Sequence, residues 1–182
     1  MRTMLSKWLI MAILTIGFVS CGDDDDPKYD KINIIGNYTG TCQLLVGKTN
    51  KTENNFPVTF ANDGNNTSIL RAGIGNEEMY NSVGLAISNI MASGFVDKGN
   101  YARFSMENIK QAFSSENIPE FIKDQVQFEV NSAEMNLNCD PVQFEKSAKR
   151  LTFTYKGTIS IKGKDPIETS TYNITYNIDV VK

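Results

Sequence analysis

Two long segments near the C-terminus alternate between apolar and polar residues. Apolar side chains occupy alternate positions across Leu151–Tyr155 and Ile159–Ile161, and again across Tyr172–Val180, with threonine, serine, asparagine and aspartate between them. Because side chains in a strand point alternately to opposite faces, this period predicts two strands, each with one buried and one wet face. The turn-forming residues at 163–166 predict that the two strands pair as an antiparallel hairpin.

The same period recurs nearer the N-terminus. Tyr38–Leu44 alternates as a first strand, and Phe56–Phe60 places its apolar residues on one face of a second. The turn Asn62–Asn65 contains Asp-Gly, which favours a tight hairpin, and Thr67–Gly73 is the predicted returning strand. Between the first two strands, Gly47–Asn55 is predicted to be a polar connection.

The middle of the chain predicts helix. Apolar residues recur at helical spacing from Met79 to Ile90, with Asn76 as a candidate cap and Gly94 as a candidate end. Ile109–Phe113 is compatible with helix or loop. Pro119 is suited to the first turn of a short helix.

The remaining segments predict strand. Tyr101–Met106 is a weaker strand candidate. Val126–Val130 and Ala133–Cys139 carry apolar residues on opposite parities, so a slip near Asn131 predicts a β-bulge that keeps both sets facing the core. Long antiparallel strands joined by short turns predict a mostly β meander that curls into a barrel or sandwich, with one helical insertion.

The N-terminus has the organisation of an export signal. Arg2 and Lys7 precede an apolar run that begins at Trp8 and ends before Cys21. This run is too short to span a bilayer, which needs about 20 apolar residues, and fits a lipoprotein signal peptide. Residues 1–20 are therefore predicted to be removed, leaving Cys21 as the lipidated first residue.

The arrangement around Cys21 resembles that of bacterial lipoproteins. Gly22–Asp26 follows Cys21 as one glycine and four aspartates, and it is similar to the acidic export signal of surface lipoproteins in the Bacteroidota. The resemblance implies an outer-membrane protein held by acyl chains and exposed on the cell surface. The protein would contact the membrane through its N-terminal lipid anchor.

Composition excludes several function classes. The chain contains no histidine, which removes Ser-His-Asp and Cys-His catalysis and histidine metal sites. Loss of two basic residues with the signal peptide moves the formal charge from −3 to −5, and the absence of a basic patch argues against nucleic-acid binding. Phosphate-binding and hydrolase motifs are also missing. We therefore expect no enzyme activity, no cofactor and no metal site.

Two cysteines remain after the anchor. Cys42 and Cys139 lie on the apolar side of strand-like segments. In an oxidising compartment two such cysteines are often bonded, which makes them a candidate disulfide. The alternative is a pair of buried free thiols that behave as small apolar side chains.

Four tyrosines lie on the apolar parity of their strands: Tyr38, Tyr155, Tyr172 and Tyr176. A buried tyrosine hydroxyl needs a hydrogen-bond partner, which a ligand in a cavity could supply. These residues are therefore the candidate ligand-cavity residues. The alternative is that their rings fill the core.

The segments Ile35–Thr41 and Leu151–Gly157 resemble strands of the calycin-like β-barrel lipoproteins of the Bacteroidota, a family of unknown function. The resemblance implies a lipocalin-related barrel, a fold that often holds small apolar ligands. It divides the chain into a signal peptide (1–20), a lipidated cysteine with an acidic tether (21–34) and a barrel domain (35–182).

Two functions follow as expectations. The first is a surface lipoprotein whose barrel binds a small apolar molecule or a glycan. The second is an interaction protein with a filled barrel, which docks onto an outer-membrane or host partner through the helical insertion around Met79–Met91. For that segment the alternative is a helix that packs on the barrel or plugs it.

Overall fold

The computed structural model describes residues 32–64, 66–165 and 167–182. The strands in this part of the chain are β1 (Gly36–Val46), β2 (Thr49–Asp63), β3 (Asn66–Gly75), β4 (Ala86–Asp97), β5 (Tyr101–Met106), β6 (Ile109–Ser114), β7 (Val130–Cys139), β8 (Val142–Glu145), β9 (Arg150–Gly163) and β10 (Thr169–Val181). Helix α1 (Glu77–Val83) joins β3 to β4, and helix α2 (Glu120–Lys123) lies between β6 and β7. The predicted signal peptide, Cys21 and the acidic run after it lie outside the described residues.

Eight strands form a closed antiparallel barrel. They follow the order β1-β2-β3-β4-β5-β8-β9-β10, and β10 pairs again with β1. β7 and β8 lie one after the other along the same edge of β9, and β6 pairs with β7 on the far side. The fold is therefore the predicted one, an antiparallel meander that closes into a calycin-like barrel.

Several local predictions are confirmed. Asp63 pairs with Asn66 across the predicted Asp-Gly turn. The predicted bulge is present in β7, where Val130 pairs with Gly163 and Ser132 pairs with the adjacent Lys162. The strand predicted before the slip is wrong except at Val130, because β7 begins there and Val126 and Phe128 precede it in an irregular segment. Both of these side chains still pack against the core.

The long predicted helix is wrong beyond its first two turns. Residues 86–97 form strand β4, and the helix α1 stops at Gly84. Two bulges in β4 create a spacing that imitates a helix. At the first, β3 advances two residues while β4 advances three, from Ile87 to Ile90. At the second, Gly94 adopts φ +67°, and Ala92 and Phe95 both point inward.

Two other segments predicted as irregular or helical are strands. The polar connection assigned to Gly47–Asn55 is only the turn at Gly47 and Lys48, because β2 begins at Thr49 and pairs with β1 along its polar half. Ile109–Phe113 is strand β6, which pairs with β7. In both segments the apolar alternation is weak, and pairing with a neighbouring strand decides the conformation.

Both helices lie at one end of the barrel. Asn76 caps α1 as predicted, since its Oδ1 accepts a hydrogen bond from the amide of Met79 at 2.9 Å. Met79 and Val83 are buried, so α1 packs onto the barrel, which agrees with the alternative stated for this segment. Lys51 of β2 donates to the Ser82 hydroxyl of α1 at 2.6 Å. Pro119 precedes α2, whose Phe121 and Ile122 are also buried.

Side chains fill the barrel interior. The largest fully buried ones are aromatic: Tyr38, Tyr155, Tyr176, Phe56, Phe104, Phe113 and Phe144. The Phe60 ring meets Tyr38 and Phe104 edge to face, with centroids 6.1 Å and 5.7 Å away. Such pairs add about 0.5–1.5 kcal/mol each beyond the area they bury.

The barrel has two distinct ends. The end with the helices also carries the β1–β2 turn and the β9–β10 turn, and we call it the helix end. The described chain enters β1 at the other end, where Lys182 donates to the Ile35 carbonyl at 2.6 Å. Ile32 and Ile34, assigned to the tether from sequence, are buried in the core at that end. Within the described ranges, no helix has the length and apolar character needed to cross a membrane.

Candidate functional site

Three of the four candidate tyrosines donate to backbone carbonyls inside the barrel. Tyr38 donates to Ile34, just before β1. Tyr155 donates to Glu107, between β5 and β6, at 3.1 Å. The third, Tyr176, donates to Val83 at the end of α1, at 2.7 Å.

Each of these carbonyls lies where the chain leaves regular secondary structure, so it lacks the partner that a helix or a ladder would supply. The tyrosine hydroxyls therefore satisfy the backbone of the fold, and they need no ligand. The three rings belong to the core, which is the alternative stated from the sequence.

Burial also changes the acidity of these hydroxyls. It raises the pKa of Tyr38 to about 12 and raises the pKa of Tyr155 and Tyr176 well above the ordinary value. The cause is the low polarity of the interior, which disfavours the phenolate. All three therefore remain neutral donors at physiological pH.

The candidate disulfide is not formed. Cys42 on β1 and Cys139 on β7 are both free thiols, and strands β10 and β9 lie between their strands. The alternative of two free thiols is the one found. Burial raises the pKa of each thiol to about 12, with Glu53 adding to the effect at Cys42. Both thiols are therefore protonated and poorly nucleophilic.

Tyr172, the fourth candidate tyrosine, lines a pocket. It lies on β10 at the helix end, half-buried, beside a pocket of about 300 Å³ that we call the mouth pocket. The pocket is lined by Gly47, Lys48, Thr49, Asp124, Gln125, Gln127 and Tyr172. These residues come from the β1–β2 turn, the segment after α2 and the start of β10.

Hydrogen bonds hold the walls of the mouth pocket together. The Gln125 amide donates to the Thr49 hydroxyl at 2.9 Å and to the Phe121 carbonyl at 2.7 Å. The Tyr172 hydroxyl donates to the Gln125 carbonyl at 2.6 Å. Gly47 has φ +53°, and a Cβ there would lie 2.1 Å from the Gln125 side-chain oxygen. Glycine at this turn therefore lets the two walls approach each other.

Three charged or amide side chains of the pocket are uncommitted. Lys48, Asp124 and Gln127 make no side-chain hydrogen bond or ion pair with any described residue. They combine an ammonium donor, a carboxylate acceptor and an amide that does both. The pocket thus offers a cation, an anion and an amide beside the aromatic side chain of Tyr172.

Sequence reasoning identified Tyr172 and missed the rest of this site. The three contributing segments lie far apart in the chain, and none has a motif. Lys48 belonged to a predicted connection and Gln127 to a predicted strand, whereas Asp124 and Gln125 belonged to no predicted element. A cluster of metal-binding side chains is also absent from the part of the chain that the structure covers.

Comparison with known proteins adds no relative to this description. No protein-family model, no curated protein and no solved structure matches the chain.

Proposed function

We propose that this chain is a lipid-anchored surface lipoprotein that binds a small polar ligand, of the saccharide type, in the mouth pocket. One contrast carries the proposal. The hydroxyls of the interior tyrosines donate hydrogen bonds to backbone carbonyls. The side chains of Lys48, Asp124 and Gln127 at the mouth, in contrast, have no hydrogen-bond or ion-pair partner among the described residues. An apolar ligand inside the barrel, the other ligand class expected from the sequence, is not part of this proposal because side chains fill the interior.

The chemistry of the pocket suits a hydroxyl-rich molecule. Sugar hydroxyls both donate and accept, so they can bond an ammonium, a carboxylate and an amide at once. The exposed part of the Tyr172 ring can cover an apolar sugar face. A volume of about 300 Å³ lies at the small end of ligand pockets, which fits one or two rings.

The orientation of the barrel supports surface display of this pocket. Ile32 and Ile34 enter at the end opposite the helix end, and Cys21, the proposed lipidation site, precedes them in the chain. A lipid attached there would hold the entry end towards the outer membrane. The mouth pocket would then face away from the membrane.

A glycan microarray tests the proposal. The lipidated protein in detergent is applied to an array of neutral and acidic oligosaccharides, beside an Asp124→Ala/Gln127→Ala variant and a Ser105→Ala control. Ser105 lies on the outer face of β5, far from the mouth. We expect saccharide-dependent signal for the native protein and the control, and loss of about tenfold or more in the double variant. Equal signal from the double variant, or no signal at all, contradicts the proposal.

The second candidate function is docking onto a protein partner with a filled barrel. The observation in its favour is the buried aromatic interior, which leaves the outer surface as the place for recognition. The surface predicted around Met79–Met91 is divided, because Met79 is buried under α1 and Met91 is exposed on β4. Cross-linking on intact cells, with the charges of Glu77 and Glu78 reversed, tests this alternative.

A further inference from the structure

The mouth pocket continues into a groove on the outer face of the barrel. A neighbouring pocket of about 370 Å³ shares Gly47 and Tyr172 with it and extends over Leu45, Asn173 and Thr175. Farther along the same face lies a pocket of about 280 Å³, and a last one of about 190 Å³ shares Thr152 with it.

Strand register shows that these pockets form one track. On β1 and β10 the outward-facing pairs Leu45–Thr175, Gln43–Asn177 and Thr41–Asp179 follow each other at two-residue intervals. From Gly47 to Thr41 the track spans six residues, or about 20 Å at the usual rise of a strand. We call this surface the β1–β10 track.

Hydrogen bonds between amide and hydroxyl side chains preorganise the middle of the β1–β10 track. The Asn177 amide donates to Gln43 at 3.2 Å, and the Thr154 hydroxyl donates to Asn177 at 3.1 Å. The Gln43 amide in turn donates to Asn50 at 3.0 Å. This ladder fixes the amide groups before any ligand arrives, which lowers the entropy lost on binding.

Charged residues occupy the two ends of the track. Lys48 and Asp124 stand at the mouth. At the far end Arg150 forms a bidentate ion pair with Asp179, and Glu145 lines the last pocket. Lys156 lies opposite Thr175 on β9, beside the middle of the track, where its ammonium is paired with Asp140.

Two other classes of extended ligand fit this surface poorly. A peptide that binds by strand addition needs an open strand edge, but β1 pairs with β10 and β2, and β10 pairs with β1 and β9. A nucleic acid needs a row of unpaired cations for its phosphates. The pocket in the middle of the track is lined by no cation among the described residues, and Lys156 beside it is already paired with Asp140.

From this juxtaposition we infer that the β1–β10 track binds an extended, neutral, hydroxyl-rich glycan chain whose end occupies the mouth pocket. The inference rests on the proposed function and names its ligand class. Amide and hydroxyl groups at regular strand spacing match the repeated hydroxyls of such a chain, and the Tyr172 ring lies where the track meets the mouth.

Native electrophoresis in gels that contain a polysaccharide tests the inference. The probes are soluble neutral glucans, galactans, mannans and xylans, with alginate as an anionic control, and the protein is the lipidated chain in detergent. Two variants change the track, Gln43→Ala/Asn177→Ala and Thr175→Val, while Ser105→Ala is the matched control on another face. Thermal melting of each variant confirms that it remains folded.

We expect at least one neutral polysaccharide to slow the native protein and the control. Loss of two amide contacts should weaken the retardation about tenfold, and loss of the single Thr175 hydroxyl should weaken it about threefold. For the probe that binds, oligosaccharides of increasing length should bind more tightly until the track is full. Alginate should have no effect.

The outcomes separate the inference from the proposed function. If the track variants bind as the native protein does and Asp124→Ala/Gln127→Ala does not, the mouth binds a ligand and the track inference is wrong. If the track variants fail and the mouth variant binds normally, the track binds a glycan and the proposed mouth site is wrong. Retardation by none of the neutral polysaccharides overturns the track inference, whereas the proposed mouth site is decided by the glycan array.

Discussion

Replacing Tyr176 with phenylalanine removes one buried hydroxyl from the barrel interior beneath α1 and preserves the ring. The side chain is fully buried, and its hydroxyl donates to the Val83 carbonyl at 2.7 Å. Val83 is the last residue of α1, and the last carbonyls of a helix have no partner within it. The substitution therefore leaves a carbonyl without its partner in an apolar environment.

The size of the effect follows from this loss. Removing one partner of a buried hydrogen bond costs about 1–3 kcal/mol, because the remaining group keeps its desolvation penalty. The ring is unchanged, so no large cavity adds to the cost. For a chain of this length, each kcal/mol corresponds to about 2–4 °C in Tm. For a loss of about 2 kcal/mol, we therefore expect Tyr176→Phe to lower Tm by roughly 4–8 °C.

Urea denaturation of the native protein, Tyr176→Phe and Tyr172→Phe measures this difference. Tyr172 is the matched control, since its hydroxyl also bonds a carbonyl, that of Gln125, but at the half-buried mouth where water can replace it. We expect less than about 1 kcal/mol for Tyr172→Phe. A free energy of unfolding for Tyr176→Phe within about 0.5 kcal/mol of the native value would refute the argument that the hydroxyl supports the backbone.

Three further predictions concern two turn glycines, the loss of stability at high pH and the state of the cysteines. Gly47→Ala should lower the free energy of unfolding, measured by urea denaturation, by about 1–3 kcal/mol, because φ is positive and the new Cβ would collide with Gln125. Gly64→Ala, where φ is also positive but no atom lies near the new Cβ, should lower it by about 1 kcal/mol. Equal losses would contradict the close approach at Gly47. Because burial raises the pKa values of Tyr38 and Cys42, these groups lose their protons at lower pH in the unfolded state than in the folded state. Their contribution to stability is therefore fully present below about pH 9 and is lost as the pH rises towards 12. A free energy of unfolding that is unchanged at about pH 10.5 would contradict this. Under non-reducing conditions, Cys42 and Cys139 should each react with a thiol reagent once the protein is denatured, and a mass lower by two hydrogens without reaction would instead reveal a disulfide.

The strands with one wet face were predictable because their signal is local. In Tyr172–Val180 every second residue is apolar, and the structure makes this segment part of β10 with that side inward. The slip near Asn131 was also readable, since a bulge leaves a single change of parity in an otherwise regular pattern. Where two bulges follow closely, as in β4, the spacing becomes three residues and the same reasoning predicts a helix.

The candidate site was mostly beyond sequence reasoning. Tyr172 was found because it follows the apolar parity of its strand, but parity cannot separate a core tyrosine from one at the mouth. Lys48, Asp124 and Gln127 have no shared motif, and their uncommitted state depends on which neighbours surround them. The hydrogen bonds of Tyr38 and Tyr176 were equally hidden, because the carbonyls that they serve lie at the ends of other elements.

The sequence by itself determined that this chain forms antiparallel strands with an apolar face, since alternation at period two requires that face to be buried. It also ruled out chemistry that depends on histidine, because the amino-acid content of the chain is the same whatever fold it adopts. Only the tertiary structure decided that β10 returns to β1 and closes the barrel, that aromatic rings fill the interior and that residues around 48, 125 and 172 meet at one mouth. These features depend on contacts between distant segments, and burial and hydrogen bonding act on such contacts only once the chain has folded.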